Sequence, residues 1–227
     1  VIPAAGKAER MGGLPKFLLP CPGGSLLTHL VDDMQRGGAR RVHVITRDEN
    51  LRLVQQNLQP EASAHTTTTL TMAETVLAAR NLVDSNGVTL FGMPDGYHNT
   101  GWPYQRMLDA LRSDIQLVIG LWQILPERRG DFGMCSLSTD GRTVTRIVDK
   151  AKFSPLEWGW GMMAWRVPFW QFIRRDHAHV GFSAQEYIEA GGQVAAVKMP
   201  GQFWNCNTQQ DYFNLCADWS KKETVKS

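Results

Sequence analysis

A three-layer α/β domain, with a mainly parallel but mixed sheet between two layers of helices and a small antiparallel insertion, is the fold class that this sequence predicts. Three observations carry the prediction. Short apolar runs rich in β-branched residues alternate with segments of helical periodicity through the first half of the chain. The first of these runs, Val1 to Ala4, passes straight into a loop of glycines and cations, "GKAERMGGLPK". In the second half an Asp140-Gly141 pair separates two alternating runs, the mark of a hairpin.

The elements follow in order. After the strand at Val1 to Ala4, Ser25 is a good N-cap for the helix "LLTHLVDDMQR", in which Leu26, Leu30 and Met34 share one face before Gly37 and Gly38 stop it. "RVHVIT" is the second strand, Asp48 is placed to cap the helix "ENLRLVQQNL", and "HTTTTL" reads as a threonine-rich strand. "ETVLAARNLV" repeats the helical period before the strand "VTLFGM". A loop from Pro94 to Pro103 precedes the helix "YQRMLDALR" and the strand "IQLVIGLWQI". The hairpin of "GMCSLSTDGRTVTRIVDK" is the antiparallel insertion. "VPFWQFIRR" and "AQEYIEA" are short helices, "QVAAVKM" is another strand, and "TQQDYFNLCADW" is the closing helix. The expected organisation is a single domain over 1–219 with a tail at 220–227, and 227 residues of 43% hydrophobic content suffice to bury a core.

Composition narrows the partners. With 24 basic and 22 acidic residues the formal charge is +2, which gives no broad basic field for a nucleic-acid backbone. Four scattered cysteines, Cys21, Cys135, Cys206 and Cys216, form no C-x-x-C pair, so neither a zinc knuckle nor a disulfide framework is implied, and reduced thiols in a cytoplasm are expected. No uncharged run approaches the roughly 20 residues of a membrane span, and no basic-then-apolar leader precedes Val1. The loop after the first strand is the chemical signal: glycine lets backbone N–H groups approach a ligand, and Lys7, Arg10 and Lys16 bring cations to the same place. A phosphate chain is the natural guest.

The whole string resembles the signature of nucleotidyltransferases that activate sugar 1-phosphates and related phosphates, G-x-G-[ST]-R-[ML] followed by P-K. Gly6, Arg10, Met11, Pro15 and Lys16 match it, while Ala8 and Glu9 depart from it. The resemblance implies that Ala4, Ala5, Gly6 and Lys7 wrap the triphosphate of an NTP, that Arg10 neutralises the departing pyrophosphate, and that Lys16 reaches the phosphoryl group under attack. It implies Mg²⁺ held by Asp95, at the end of "LFGMPD", and by Asn205 in "FWNCNTQQD", where many members have aspartate. On local evidence Asp95-Gly96 is also a good turn pair. Glu74 sits where relatives face the nucleobase, although a glutamate there also suits a helix N-terminus. For the acceptor the resemblance implies Gly133, Asp149, Lys150, Trp160 and Gly161, with Trp158, Trp160 and Trp165 equally at home in a core. It spans Val1 to about Leu215. The activity it implies is Mg²⁺-dependent transfer of a nucleotidyl group from an NTP to a small phosphorylated acceptor, a sugar 1-phosphate first, by a protein for which a homo-oligomer stays open. A glycosyltransferase of similar architecture would favour a D-x-D motif that "MPDGYH" lacks, and a non-catalytic nucleotide-binding homologue would carry Ala8, Glu9 and Asn205 as its marks.

Overall fold

The computed structural model describes residues 1–6, 14–149 and 154–224, with backbone alone over 220–224. In chain order the elements are β1 (Ile2–Ala4), β2 (Pro20–Cys21), β3 (Gly24–Ser25), α1 (Leu26–Arg36), β4 (Val42–Thr46), α2 (Leu51–Gln56), β5 (Ala62–Thr66), α3 (Met72–Ala78), β6 (Val88–Gly92) and β7 (Gly96–His98). They continue with α4 (Pro103–Ala110), β8 (Leu117–Gln123), β9 (Gly133–Leu137), β10 (Val144–Asp149), β11 (Trp158–Arg166), α5 (Val180–Glu189), β12 (Val194–Lys198), β13 (Phe203–Asn205) and α6 (Gln209–Thr224). The final helix therefore runs through the boundary expected at 219.

The sheet is mixed, as the sequence predicts. β1 pairs in parallel with β4, and β4 with β5. The Val1 nitrogen donates to the Leu90 carbonyl, and the Gly92 N–H donates to the Val1 carbonyl; these bonds flank Phe91 as a parallel ladder requires, so β1 adjoins β6. The long β11 then reverses direction, pairing antiparallel with β6 and β8, and β8 carries β12 in parallel. The Asp140-Gly141 hairpin joins β9 to β10, with Gly141 at φ 69° and Asp140 accepting from the Ser138 hydroxyl. Alternation along β8 puts Val118 and Trp122 into the core under α1 and α4, and Leu117, Ile119 and Leu121 into the core under α3 and α5. Helices thus cover both faces, which explains why the strand reads as one apolar run.

α1 starts where expected. The Ser25 hydroxyl accepts from the Thr28 N–H and the Thr28 hydroxyl accepts from the Ser25 N–H, a capping box, and the helix ends at Gly37. Its inner face buries Leu26, Leu27, Leu30, Val31 and Met34. Its other buried side faces β7, where burial holds the His29 imidazole below its usual pKa.

Two local expectations are corrected. Asp48 does not cap α2: a 3-10 turn over Asp48–Asn50 starts the segment, and no side chain caps it. The threonine run is not a strand beyond Thr66; strand β5 lies earlier, and the hydroxyls of Thr67, Thr69 and Thr75 bond locally instead. Short hydroxylated side chains offer the backbone an alternative to a ladder, and here that alternative wins. Among the described residues no helix is long and apolar enough to cross a membrane.

Replacing the α1 cap, Ser25→Ala, is expected to lower stability by about 1 kcal/mol. Urea unfolding should show a lower midpoint with an unchanged slope.

Candidate active site

The candidate site is assembled by a two-stranded ribbon. β7 and β13 pair antiparallel with Asn205 opposite Gly96, and the Cys206 N–H donates to the Asp95 carbonyl over 2.8 Å. Asp95 and Asn205, remote in sequence, are thereby neighbours. Lys16 completes the group from a 3-10 turn over Lys16–Leu18 whose middle residue, Phe17, is buried. Its Nζ lies 3.3 Å from Asp95 Oδ2 and 3.4 Å from Asn207 Oδ1.

Asn205 is buried, and its Oδ1 has no hydrogen-bond partner. An orphaned buried amide oxygen beside a carboxylate and a second amide is an all-oxygen donor set, which suits a hard divalent cation. The neighbouring Cys206 is no nucleophile: burial first, then the charge of Asp95, pushes its thiol up to about 12.

Two cavities meet at this group. The larger, about 190 Å³, lies between Ala4, Ala5, Gly6 and Lys16 on one wall and Thr69, Leu70, Thr71, Met72 and Thr75 on the other. The smaller, about 90 Å³, is lined by Gly133, Asp149, Trp160, His179, Asn205 and Asn207. Asp95 and Met72 border both. The structure therefore gathers Ala4, Ala5, Gly6 and Lys16 at one end of a cleft, Gly133, Asp149 and Trp160 at the other, and Asp95 with Asn205 where the ends meet. Lys7, Arg10 and Lys150 lie outside the described residues.

Of the two places open to Glu74, the nucleobase and a helix N-terminus, the structure shows the second. Its Oε2 accepts from the N–H groups of Leu70 and Thr71, while the Thr71 hydroxyl accepts from the Glu74 N–H, so the carboxylate belongs to the capping box of α3 and lines neither cavity. Gly161 lines neither cavity either. It is the inserted residue of a β-bulge in β11, and a Cβ there would press on the rings of Phe203 and Trp122. Gly133 is tight for a different reason, because a Cβ would overlap the Trp160 indole on the wall of the smaller cavity.

Three contributors escape sequence reasoning. Arg47, at the end of β4, donates from Nε to the Ala5 carbonyl at 2.8 Å and from Nη2 to the Thr69 carbonyl at 3.5 Å, tying the two walls of the larger cavity together. Asn207 lies two residues beyond Asn205, a spacing that could have flagged it as sharing the same side. His179 has no local signal. Its Nδ1 accepts from the Gly181 N–H, and its Nε2 lies 2.9 Å from Asp149 Oδ2, a contact without an aligned hydrogen bond. The ring stacks on Phe182, with centroids 4.5 Å apart.

The family model for the MobA-like NTP transferase domain matches residues 1–123. No curated protein matches the chain. Among solved structures, the fold is similar to a UDP-glucose pyrophosphorylase complexed with UDP-glucose, at TM-score 0.82 and 12% identity over 97% of this chain and 97% of that one. It is similar also to a UTP-bound UGPase from Acinetobacter baumannii, at TM-score 0.77 and 15% identity over 96% of this chain and 91% of the other. A third is described as a glucose-1-phosphate thymidylyltransferase from Bacillus anthracis in complex with a sucrose, at TM-score 0.79 and 14% identity over 94% and 91%.

Because Glu74 is engaged by the backbone, Glu74→Ala should behave as a lost cap, destabilising the protein by about 1 kcal/mol. Titration with the four NTPs should leave their ranking as in the parent; a reordered ranking would return Glu74 to the base.

Proposed function

The chain belongs to the family of MobA-like NTP transferase domains, and from that membership we propose that it joins an NTP to a small phosphorylated acceptor, a sugar 1-phosphate before others, and releases pyrophosphate. The observation that supports this reading best is the meeting of Lys16, Asp95, Asn205 and Asn207 at the junction of two cavities. A reaction between two phosphates needs one pocket for each and a concentration of positive charge between them. The UDP-glucose and UTP bound by similar structures make a nucleotide joined to a hexose phosphate the first product to test.

In this reading the triphosphate lies along the Gly6 wall and the base reaches toward Thr69 and the exposed Leu70. The acceptor occupies the smaller cavity against Trp160, with Asp149 holding its hydroxyls and His179 positioning Asp149. An acceptor phosphate oxygen attacks the α-phosphorus, the bond from that phosphorus to the bridging oxygen breaks, and pyrophosphate carries the electron pair away. Lys16 exchanges its contact with Asp95 for the α-phosphoryl oxygens, and Arg10 meets the leaving pyrophosphate. Asp95 and Asn205 would hold Mg²⁺, which when bound offsets phosphate charge. No side-chain nucleophile is needed, in keeping with a thiol at Cys206 held protonated.

Pyrophosphate release, followed with each NTP against a panel of sugar 1-phosphates, tests the reading. Lys16→Ala and Arg10→Ala should each lower kcat/KM by about 100-fold or more with the fold intact, the scale of losing one donor to transition-state charge. Asp95→Asn should remove the Mg²⁺ dependence, whereas Asn205→Asp should keep or tighten metal binding. Near-normal turnover in Lys16→Ala would defeat the assignment of roles.

A second measurement separates the two ends of the cleft. Lys150→Ala should raise the KM for the acceptor far more than that for the NTP, because the residue follows Asp149 at the acceptor end. Loss of NTP affinity alone would mean that the ends are reversed.

A further inference from the structure

The ribbon that presents Asp95 and Asn205 is held on its far side by residues that nucleotidyl transfer leaves unused. His29 and Asp33 stand one helical turn apart on α1, the i, i+4 spacing that points two side chains the same way. His98 is the last residue of β7. His29 Nε2 and His98 Nε2 each lie 3.2 Å from the same oxygen, Asp33 Oδ2. The three ligand atoms all fall within 4.8 Å of one another.

We propose that His29, Asp33 and His98 form a structural binding site for a borderline divalent cation of the zinc class, clamping α1 to β7.

The donor set is the first argument. Two imidazole nitrogens and one carboxylate oxygen suit zinc or cobalt, whereas the all-oxygen group at Asp95 and Asn205 suits a harder ion. Spacing is the second. Metal–ligand bonds of about 2.0–2.1 Å in a tetrahedral shell put neighbouring ligand atoms about 3.3 Å apart. Both nitrogens already stand close to that distance from the shared oxygen, and metal binding would draw the two nitrogens, within 4.8 Å of each other, to the same spacing.

The third argument is unmet bonding. Asp33 is 6% exposed and His98 2%, yet Asp33 Oδ2 and both ring nitrogens of His98 have no hydrogen-bond partner. The short separations are therefore contacts without aligned N–H groups, as arises when lone pairs converge on a common point instead of on each other. A buried carboxylate calls for positive charge, and among the described residues Asp33 makes ion-pair contacts with His29 and His98 alone. The His98 ring is held in place by stacking on Trp122, with centroids 5.6 Å apart and planes inclined by 28°. His29 Nε2 also lies 3.2 Å from the His98 carbonyl, so metal binding moves its proton to Nδ1 and brings the carbonyl oxygen within reach as a fourth ligand. The side chain of His29 is 24% exposed, which leaves a way in from solvent.

The untagged, chelator-stripped chain is titrated with Co²⁺, following visible ligand-field absorption, and then with Zn²⁺ in competition. The expected result is one Co²⁺ per chain, displaced by one equivalent of Zn²⁺, with a raised melting temperature. Asp95→Asn should bind the same equivalent, which separates this site from the one proposed for nucleotide-linked Mg²⁺. His29→Gln, at a partly exposed position, should lose both the absorption and the thermal shift. Histidine imidazole NMR of the parent chain needs no variant, and there Zn²⁺ should move the resonances of His29 and His98. Absence of a stoichiometric site, binding retained by His29→Gln, or shifts confined to His43 on β4 and His65 on β5, whose ring nitrogens stand 3.1 Å apart, would overturn the proposal.

Discussion

The pairing of β7 with β13 is the constraint on which the cleft depends. Asn205 opposite Gly96 and the bond from Cys206 N–H to the Asp95 carbonyl fix the relative position of two side chains that no local sequence relation connects. A slip of one residue would turn Asn205 to the other face of its strand and separate the pair. The ribbon is short, so its register is held by side chains around it. Phe203 packs against Trp122 and Phe132 on one side, and Trp204 lies against Tyr97 on the other. Successive residues of a three-residue strand thus serve two cores, and the strand between them cannot shift without opening both.

Charge in the cleft is arranged around Lys16. The ammonium is partly buried beside Asp95 and the amide of Asn207, so the cation is held ready without being neutralised by a fully enclosed partner. The walls of the larger cavity are fixed as well, since Arg47 binds the Ala5 and Thr69 carbonyls that lie on opposite sides of it. In the proposed reading, a phosphate chain entering there would meet walls already fixed, which reduces the reorganisation that binding requires.

Much of this was legible in the sequence, for identifiable reasons. Covered strands read as apolar runs, so β1, β4, β6 and β8 were found, β11 followed from the resemblance, and α1 was bounded by a true cap and a true stop. Of the residues that the resemblance names, Ala4, Ala5, Gly6, Lys16 and Asp95 border the larger cavity and Gly133, Asp149, Trp160 and Asn205 the smaller; their roles there are those proposed above. β7 was missed, since "GYH" inside a loop of Pro, Gly and Asn has too few residues for alternation to show. The threonine run misled because β propensity measures fit to a pleated surface, and these hydroxyls found local partners instead. Glu74 left two readings open, one from the resemblance and one from its place at a helix start, and the hydrogen-bond geometry shows the carboxylate engaged in the cap. His179 carried no signal at all, because its contact with Asp149 joins the start of α5 to the end of β10.

The acceptor end shows how glycines shape a pocket by what they admit. β11 passes Trp158 and Gly159 beside β9 before its bulge at Gly161, and then runs on beside β6. The bulge adds one residue against β8, so Trp160 projects toward the smaller cavity while Gly161 leaves room for Phe203 and Trp122 beneath. Gly133 on β9 accepts the indole edge that a Cβ would expel. Trp160 is then wedged among Phe91, His179 and the Gly133 backbone, with its buried Nε1 lacking a hydrogen-bond partner and the indole lining the cavity. Nε1 is the indole atom nearest to where a Cβ on Gly133 would stand, so the ring and the Gly133 backbone close this wall of the cavity together. The chemistry of the smaller cavity is thus set by the bulge and by two glycines as much as by the charged residues around it.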